Sequence, residues 1–384
     1  MWRSLASNML TILVVMLFLL GGVILWGKSE YSAEGPLETA ICLQVRPGSN
    51  MTRVSKDLAQ QGAVSSGALF RLSAKYTEKS SQLKAGSFLV RPGTSIETIL
   101  DQITIGGAST CGTEVVYRVG VTRLRAEVRE LDPASGKFVE RAEFELGVDE
   151  APEIFTALKS ASDTRFRVAL AEGVTSWQVV NGLNAIDILS GDPGERPAEG
   201  MLAPDSYEIV QGQPRDEILE QMQERQELLV AAAWENRSPD AAVQSPQEML
   251  ILASIIEKET GVARELGQVA SVFTNRLNRG MRLQTDPTVI YGVTRGEGVL
   301  GRGLRQSELR KVTPWNTYVI EGLPPTPIAN PGKASLAAAV NPDTTDYVFF
   351  VAAGTGGHAF AETLQEHNSN VAKWRQIEAE RNNN

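Results

Sequence analysis

The beginning of the chain limits most strongly what it can become. From Met9 to Trp26 it runs M-L-T-I-L-V-V-M-L-F-L-L-G-G-V-I-L-W, 18 residues without a charge. As a helix rising about 1.5 Å per residue, this run spans roughly 27 Å, enough to cross the hydrocarbon core of a bilayer. A cleaved signal peptide is the rival reading, but its apolar region is normally shorter. Here G-K-S-E-Y-S-A-E follows, with no small-residue cleavage site. The run is therefore read as a retained anchor, with residues 1–28 forming a cytoplasmic stub and a transmembrane helix. Trp2 and Trp26 bracket it as interfacial aromatics do. Arg3 and the amino terminus put the N-terminus in the cytoplasm, with Lys28 as a weaker opposing signal. The expectation is a single-pass protein of the inner membrane whose bulk lies in the periplasm.

Beyond the anchor, a chain of 384 residues has room for two or three domains at about 150 residues each. With 42% apolar and 22% charged residues it is a folding composition. The formal charge of −9 repels a phosphate backbone, so nucleic acid is not an expected partner. Two cysteines and two histidines are too few for a closed zinc site, and neither a metal nor another cofactor is expected.

Residues 29–37 are small and polar and read as a linker. A near-repeat follows: V-R-P-G-S at Val45–Ser49 and V-R-P-G-T at Val90–Thr94, each ahead of a helical pattern. Each unit reads as strand, Pro-Gly turn, Ser/Thr N-cap and helix. Together they suggest a β/α module over 38–108 that resembles the LysM-like unit of cell-wall proteins. Cys42 and Cys111 stand at its two ends, either as a disulfide or as two buried thiols. A disulfide there would close about 70 residues and contribute on the order of 4 kcal/mol in the loop-entropy model.

Within 109–165, apolar and charged residues alternate at period two over 114–146 around the turn D-P-A-S-G-K, as in a hairpin with one wet face, before a helix through Ile154 and Leu158. This stretch reads as a β-rich insertion without identifiable chemistry. Next come a strand at Arg165–Leu170, a cap at Thr175 and a helix from Ser176. The turn Gly200–Tyr207 then brings an acid and a tyrosine close together in sequence.

The chemically informative part begins at Ser245. S-P-Q-E joins a Ser N-cap, a Pro at the first helical position and a Glu at the third. The following M-L-I-L-A-S-I-I-E-K-E-T is apolar almost all round and should be buried. At about 100° per residue Glu259 falls between Leu252 and Ile255, inside the apolar arc, whereas Glu257 falls nearer the polar edge. A desolvated carboxyl has a raised pKa, which a general acid at neutral pH requires. The alternative is a helix end whose glutamates pair with Arg264 or Arg276.

The segments L-A-S-I-I-E-K-E-T, V-A-S-V-F-T-N-R-L-N-R-G-M-R-L-Q-T-D-P-T-V-I-Y-G, W-N-T-Y-V-I-E-G-L-P-P-T-P-I-A-N-P-G and G-G-H-A-F resemble the endolytic murein transglycosylase family. Its members are membrane-anchored enzymes that cut nascent peptidoglycan glycan strands. The resemblance is close over about 250–370 and diffuse over 38–210, and the β-rich insertion departs from it. It implies that Glu259 is the catalytic acid and that one carboxyl serves as acid and then base. The product would be a 1,6-anhydro end, which makes the enzyme a lyase. A glycosidase would need a second carboxylate about 5 Å away for retention or 6.5–9.5 Å for inversion, with Asp286 and Glu257 as candidates. Penicillin-binding synthases are implied as partners, beside the glycan strands and the lipid bilayer.

Gln284, Thr285 and Asp286 form a polar stretch suited to sugar hydroxyls and amides, or else a structural turn. Asn316 and Tyr318 are candidates to line the cleft, Asn316 by amide pairing and Tyr318 by packing on a sugar face. His358, in a Gly-flanked stretch, reads as a structural hydrogen-bonder, with a second base as the alternative. Between Arg276 and Lys311 eight basic residues stand against three acids, which would suit the carboxylates of murein. The fold class is α+β: a transmembrane helix, a LysM-like β/α subdomain, the β-rich insertion and a mixed α/β catalytic domain over 166–376. The competing functions are a non-catalytic peptidoglycan-binding scaffold and a lysozyme-like muramidase using the same Glu259.

Overall fold

A computed structural model describes residues 2–105, 109–159, 161, 163–354 and 356–382. The side chains of residues 2–8, 10 and 382 lie outside that description, and with them the bracketing position of Trp2. Residues 106–108, the expected end of the β/α module, also lie outside it.

The protein is α+β and opens with α1 (Trp2–Ser32). This helix continues into the stretch that composition reads as a linker, and it contains a candidate membrane span over Thr11–Ser32. Its last turns are not free. Tyr31 packs on the core of the module that follows, and Ser65 Oγ donates to Glu30 Oε1 at 2.8 Å.

The module runs β1 (Ile41–Val45), α2 (Met51–Gln60), α3 (Gly67–Tyr76), β2 (Gly86–Val90) and α4 (Ile96–Thr104). Strands β1 and β2 are antiparallel, with Leu43 opposite Phe88. Leu58, Phe70, Ile99, Leu100 and Ile103 close the core over them. The two Pro-Gly turns are alike: Gly48 and Gly93 take φ of 76° and 72°, and Ser49 N–H and Thr94 N–H return to Arg46 O and Arg91 O. Positive φ at the third turn position is where glycine is favoured. Because Ser49 and Thr94 complete the turns, the caps fall one residue later. Asn50 accepts from Arg53 N–H and Ser95 from Thr98 N–H. Cys42 and Cys111 are joined as a disulfide, with Cα atoms 5.7 Å apart.

Next come β3 (Thr113–Val119), β4 (Leu124–Asp132), β5 (Lys137–Glu145), α5 (Glu153–Lys159), β6 (Arg165–Leu170), α6 (Ser176–Ala185) and β7 (Ser206–Ile209). Five strands form one sheet in the order β5-β4-β3-β6-β7. The alternation seen in sequence is therefore sheet structure. Among its charged groups, Glu114 is 2% exposed and meets Arg129 at 2.6 Å.

The chain separates into two compact units. One comprises 1–115, 127–143 and 151–166, and the other 116–126, 144–150 and 167–384. The second unit carries α7 (Arg215–Glu235), α8 (Pro246–Glu259), α9 (Leu266–Asn278), α10 (Asp286–Thr294), α11 (Gln306–Arg310), α12 (Lys333–Val340), the antiparallel pair β8 (Phe349–Ala352) and β9 (His358–Ala361), and α13 (Leu364–Asn382). Its core is built around α8, in which every residue from Met249 to Ile256 is buried. A helix buried on all sides is held by packing rather than by propensity. Truncating Leu252 to Ala there should cost about 2–5 kcal/mol.

Candidate active site

The site is assembled where α8 ends. Ser245 caps the helix by accepting from Glu248 N–H at 3.2 Å, and Glu248 reaches back to Gln244 N–H at 2.7 Å. The capped start and buried barrel set the angular position of the last three residues, Glu257, Lys258 and Glu259. Thr260 then turns extended, with φ of −141° and ψ of 131°.

These three side chains go to different partners. Glu257 Oε2 accepts from Gly332 N–H at 2.9 Å, so this carboxylate caps the start of α12. Gly332 has no room for a side chain, because a Cβ would meet Glu172 Oε1 at 1.7 Å. Burial, and then the charge of Glu257, push the Glu172 carboxyl above its ordinary range. Lys258 Nζ donates to Gly173 O at 3.1 Å, and burial pulls its ammonium below the usual lysine range.

Glu259 is half-buried and accepts on Oε1 from the Thr285 hydroxyl. Burial is the main influence on its pKa and raises it. The Thr285 hydrogen bond opposes this, the Asp286 charge adds to it, and His358 and Arg276 oppose it more weakly. The carboxyl also stands at the negative end of the α8 dipole, a further influence favouring the protonated form. The result is a carboxyl biased toward its acid form on a half-buried residue.

Thr285 is itself held. Its N–H donates to Thr317 Oγ1 at 3.0 Å, and the Thr288 hydroxyl donates to Thr285 O at 2.7 Å. The preceding Gln284 sits at φ of 47°, left-handed, and is exposed. Asp286 opens α10 and accepts from the Tyr318 hydroxyl at 2.7 Å. Burial first, and then Asp286, push the Tyr318 phenol up, so it remains a donor. Glu259 with Thr285 and Asp286 with Tyr318 thus form two hydrogen-bonded pairs, linked by the effect of the Asp286 charge on Glu259.

Asn316 does not belong to the cleft surface, which corrects the expectation of an amide facing a sugar. It is fully buried, and its Nδ2 donates to Glu308 O, Leu309 O and Lys311 O at 3.2, 3.1 and 2.7 Å. Its Oδ1 accepts from Tyr318 N–H at 3.0 Å. A side-chain amide with this many fixed partners organises the loop that carries Tyr318. The basic stretch is likewise less available than its count implies. Arg276 is buried and donates to Val348 O and Leu283 O. Arg282 donates to Tyr318 O at 3.1 Å, Arg295 stacks over Trp315 and Arg302 pairs with Glu308.

Sequence reasoning passed over Thr317, whose hydroxyl carries the Thr285 loop, and Glu265. The latter is 6% exposed and holds both the ring and the main chain of His358, through Nδ1 at 2.9 Å and N–H at 3.3 Å. No local pattern announces a partner 93 residues away. Beside α10 a cavity of 410 Å³ opens, lined by Lys258, Pro287, Ile290, Tyr291, Val299 and Ile328 among others.

A carboxyl biased toward its acid form, on an α+β scaffold, has the character that acid/base chemistry requires. The chain belongs to the YceG-like family, whose model matches residues 43–136 and 113–373. The endolytic murein transglycosylase of Bacillus subtilis (strain 168) is 28% identical over 359 residues, covering 93% of this chain and 91% of that protein. The protein of the same name from Streptococcus pneumoniae (strain D39) is 26% identical over 348 residues. This chain spans only 58% of the pneumococcal protein's length. A crystal structure of a YceG-like protein from Listeria monocytogenes is 25% identical, covering 86% of this chain and 98% of that one, at a TM-score of 0.41.

Proposed function

We propose that this chain is an endolytic murein transglycosylase in which Glu259 is the acid and then the base. The observation that carries the reading is the state of Glu259: a carboxyl at the end of a buried helix, biased toward protonation by burial and tethered by Thr285. The names of its curated relatives supply the substrate class.

The Glu259 proton passes to the glycosidic oxygen between N-acetylmuramic acid C1 and N-acetylglucosamine. The C1–O bond breaks, the glucosamine side leaves as an alcohol, and C1 acquires oxocarbenium character. The Glu259 carboxylate then takes the proton of the muramic acid C6 hydroxyl as O6 bonds to C1. This closes the 1,6-anhydro ring, regenerates the acid and consumes no water. Such cleavage of nascent strands would end glycan elongation.

The apolar α1 is read as a single-pass inner-membrane anchor with its N-terminus cytoplasmic. The Cys42–Cys111 disulfide supports an oxidising, periplasmic setting for the rest. The β1-α2-α3-β2 order supports reading the small module as a LysM-like contact for glycan, and penicillin-binding synthases as partners follow from the family resemblance alone.

Digesting purified glycan strands and weighing the fragments tests the reading. Anhydro ends support it, reducing ends identify a muramidase in which Asp286 assists water, and intact strands identify a binding scaffold. Glu259→Gln should lower the rate by two or more orders of magnitude, about the contribution of a positioned acid.

A further inference from the structure

Helix α3 carries an apolar stripe that begins on the module core at Leu69 and that the folded chain leaves uncovered at Leu72 and Tyr76. Leu69, Leu72 and Tyr76 fall at i, i+3 and i+7, on one face of the helix. Phe70, Ser73 and Ala74 form the adjoining buried face. Leu72 is 63% exposed and Tyr76 is 89% exposed. Arg71 and Lys75 flank the stripe on its other side and are also exposed.

The contacts with α1 say what lies beside this stripe. Ser65, just before α3, bonds Glu30, and Leu69 one turn later lies against Gly27, with its Cδ1 4.0 Å from where a Cβ of Gly27 would be. Moving along α3 from 65 to 69 is therefore moving down α1 from 30 to 27, toward the apolar run that ends at Trp26. Leu72 and Tyr76 stand about 4.5 and 10 Å further along the α3 axis at 1.5 Å per residue. The junction also has no slack. Tyr31 is packed on the module core, and Gly35 bridges Gly93, so closely that a Cβ on Gly35 would meet Thr94 O at 2.4 Å.

We propose that the Leu72–Tyr76 face of α3 is a second membrane contact, lying in the interface of the leaflet from which α1 emerges, with anionic phospholipid as its partner. This rests on the anchor reading of α1. Tyr76, further along the axis toward the span, enters the acyl boundary, Leu72 sits at its edge, and the Lys75 ammonium reaches back to lipid phosphates. The contact holds the module against the bilayer rather than letting it swing on a tether.

The test uses the full chain in vesicles. Leu72→Cys, Tyr76→Cys and, in the span, Leu19→Cys are each labelled with an environment-sensitive dye, the native cysteines being occupied in their disulfide. Quenching by lipid-borne nitroxides is compared with quenching by aqueous iodide, with the free dye–cysteine adduct as the aqueous reference. The expected result is lipid quenching at all three positions and several-fold protection from iodide at 72 and 76. Adding phosphatidylglycerol to phosphatidylcholine vesicles should strengthen the effect, and Lys75→Glu should remove that gain. Leu19 quenched by lipid while 72 and 76 match the free adduct overturns the inference and leaves the anchor standing. Labels at 72 and 76 that are shielded from iodide but not quenched by lipid also overturn it, since a protein then covers the face. A span label untouched by lipid nitroxides overturns the anchor reading, and this inference with it.

Discussion

Replacing Thr285 by valine tests the chemistry of Glu259 more sharply than removing Glu259. The Thr285 hydroxyl donates to Glu259 Oε1 and favours the ionised form. Valine keeps the shape, and the extended backbone at Thr285, φ of −122° and ψ of 125°, suits a β-branched side chain. The main-chain bonds of Thr285 to Thr317 and Thr288 survive the change. What is lost is one hydrogen bond to a charged acceptor, worth about 1.5–3 kcal/mol. At 1.36 kcal/mol per tenfold, this corresponds to roughly a 10- to 100-fold gain in the carboxylate's proton affinity.

The sign follows from the acid role. The wild-type rate falls as pH rises through the elevated Glu259 pKa, because the proton donor is lost. In Thr285→Val this alkaline limb should move up by about one to two pH units. A weaker acid protonates the leaving oxygen less readily, so the low-pH plateau should drop by roughly tenfold or less. The assay is the initial rate of anhydro-end release from purified strands across pH, with thermal melts to verify folding. An alkaline limb that stays put or moves down would refute the assignment of this hydrogen bond to the ionised state of Glu259.

Other substitutions probe the remaining parts. Glu257→Gln keeps an oxygen to accept from Gly332 N–H and should change the rate by less than about tenfold, against the hundredfold or greater loss from Glu259→Gln. Because the folded Glu259 pKa is raised, the wild type should lose stability as pH rises from the ordinary 4.5 through the folded value, a loss absent from Glu259→Gln in melts across pH. Asn316→Ala removes the amide that donates to the Glu308, Leu309 and Lys311 carbonyls and accepts from Tyr318 N–H, and should cost about 2–3 kcal/mol, lowering the melting temperature by roughly 5–10 °C. Cys42→Ser opens a bridge between residues 69 apart and should destabilise the small module by about 2–4 kcal/mol in denaturant melts.

Some of this was legible in the linear chain. A run of 18 uncharged residues, two Pro-Gly turns, and a Ser-Pro-Gln-Glu start ahead of an all-apolar helix are local signals. Periodicity alone assigns Glu259 to the apolar arc of its helix, because angle along a helix depends only on residue number. The caps at Asn50 and Ser95 were missed by one residue, since Ser49 and Thr94 are used up closing the turns.

What tertiary structure decided is which group each polar atom meets. Thr285 reaches Glu259 across 26 residues, and Glu265 reaches His358 across 93. Asn316 was expected at a sugar and instead holds three carbonyls of its own loop, since a buried amide must satisfy itself with whatever the fold brings within reach. The docking of Tyr31 and Glu30, where composition alone suggested slack chain, has the same origin. Sequence by itself determined the apolar run, the buried helix and the face on which its last glutamate stands. Only the packed chain decided that this glutamate would have a threonine donor and an aspartate neighbour, because those depend on contacts between segments that no local period encodes.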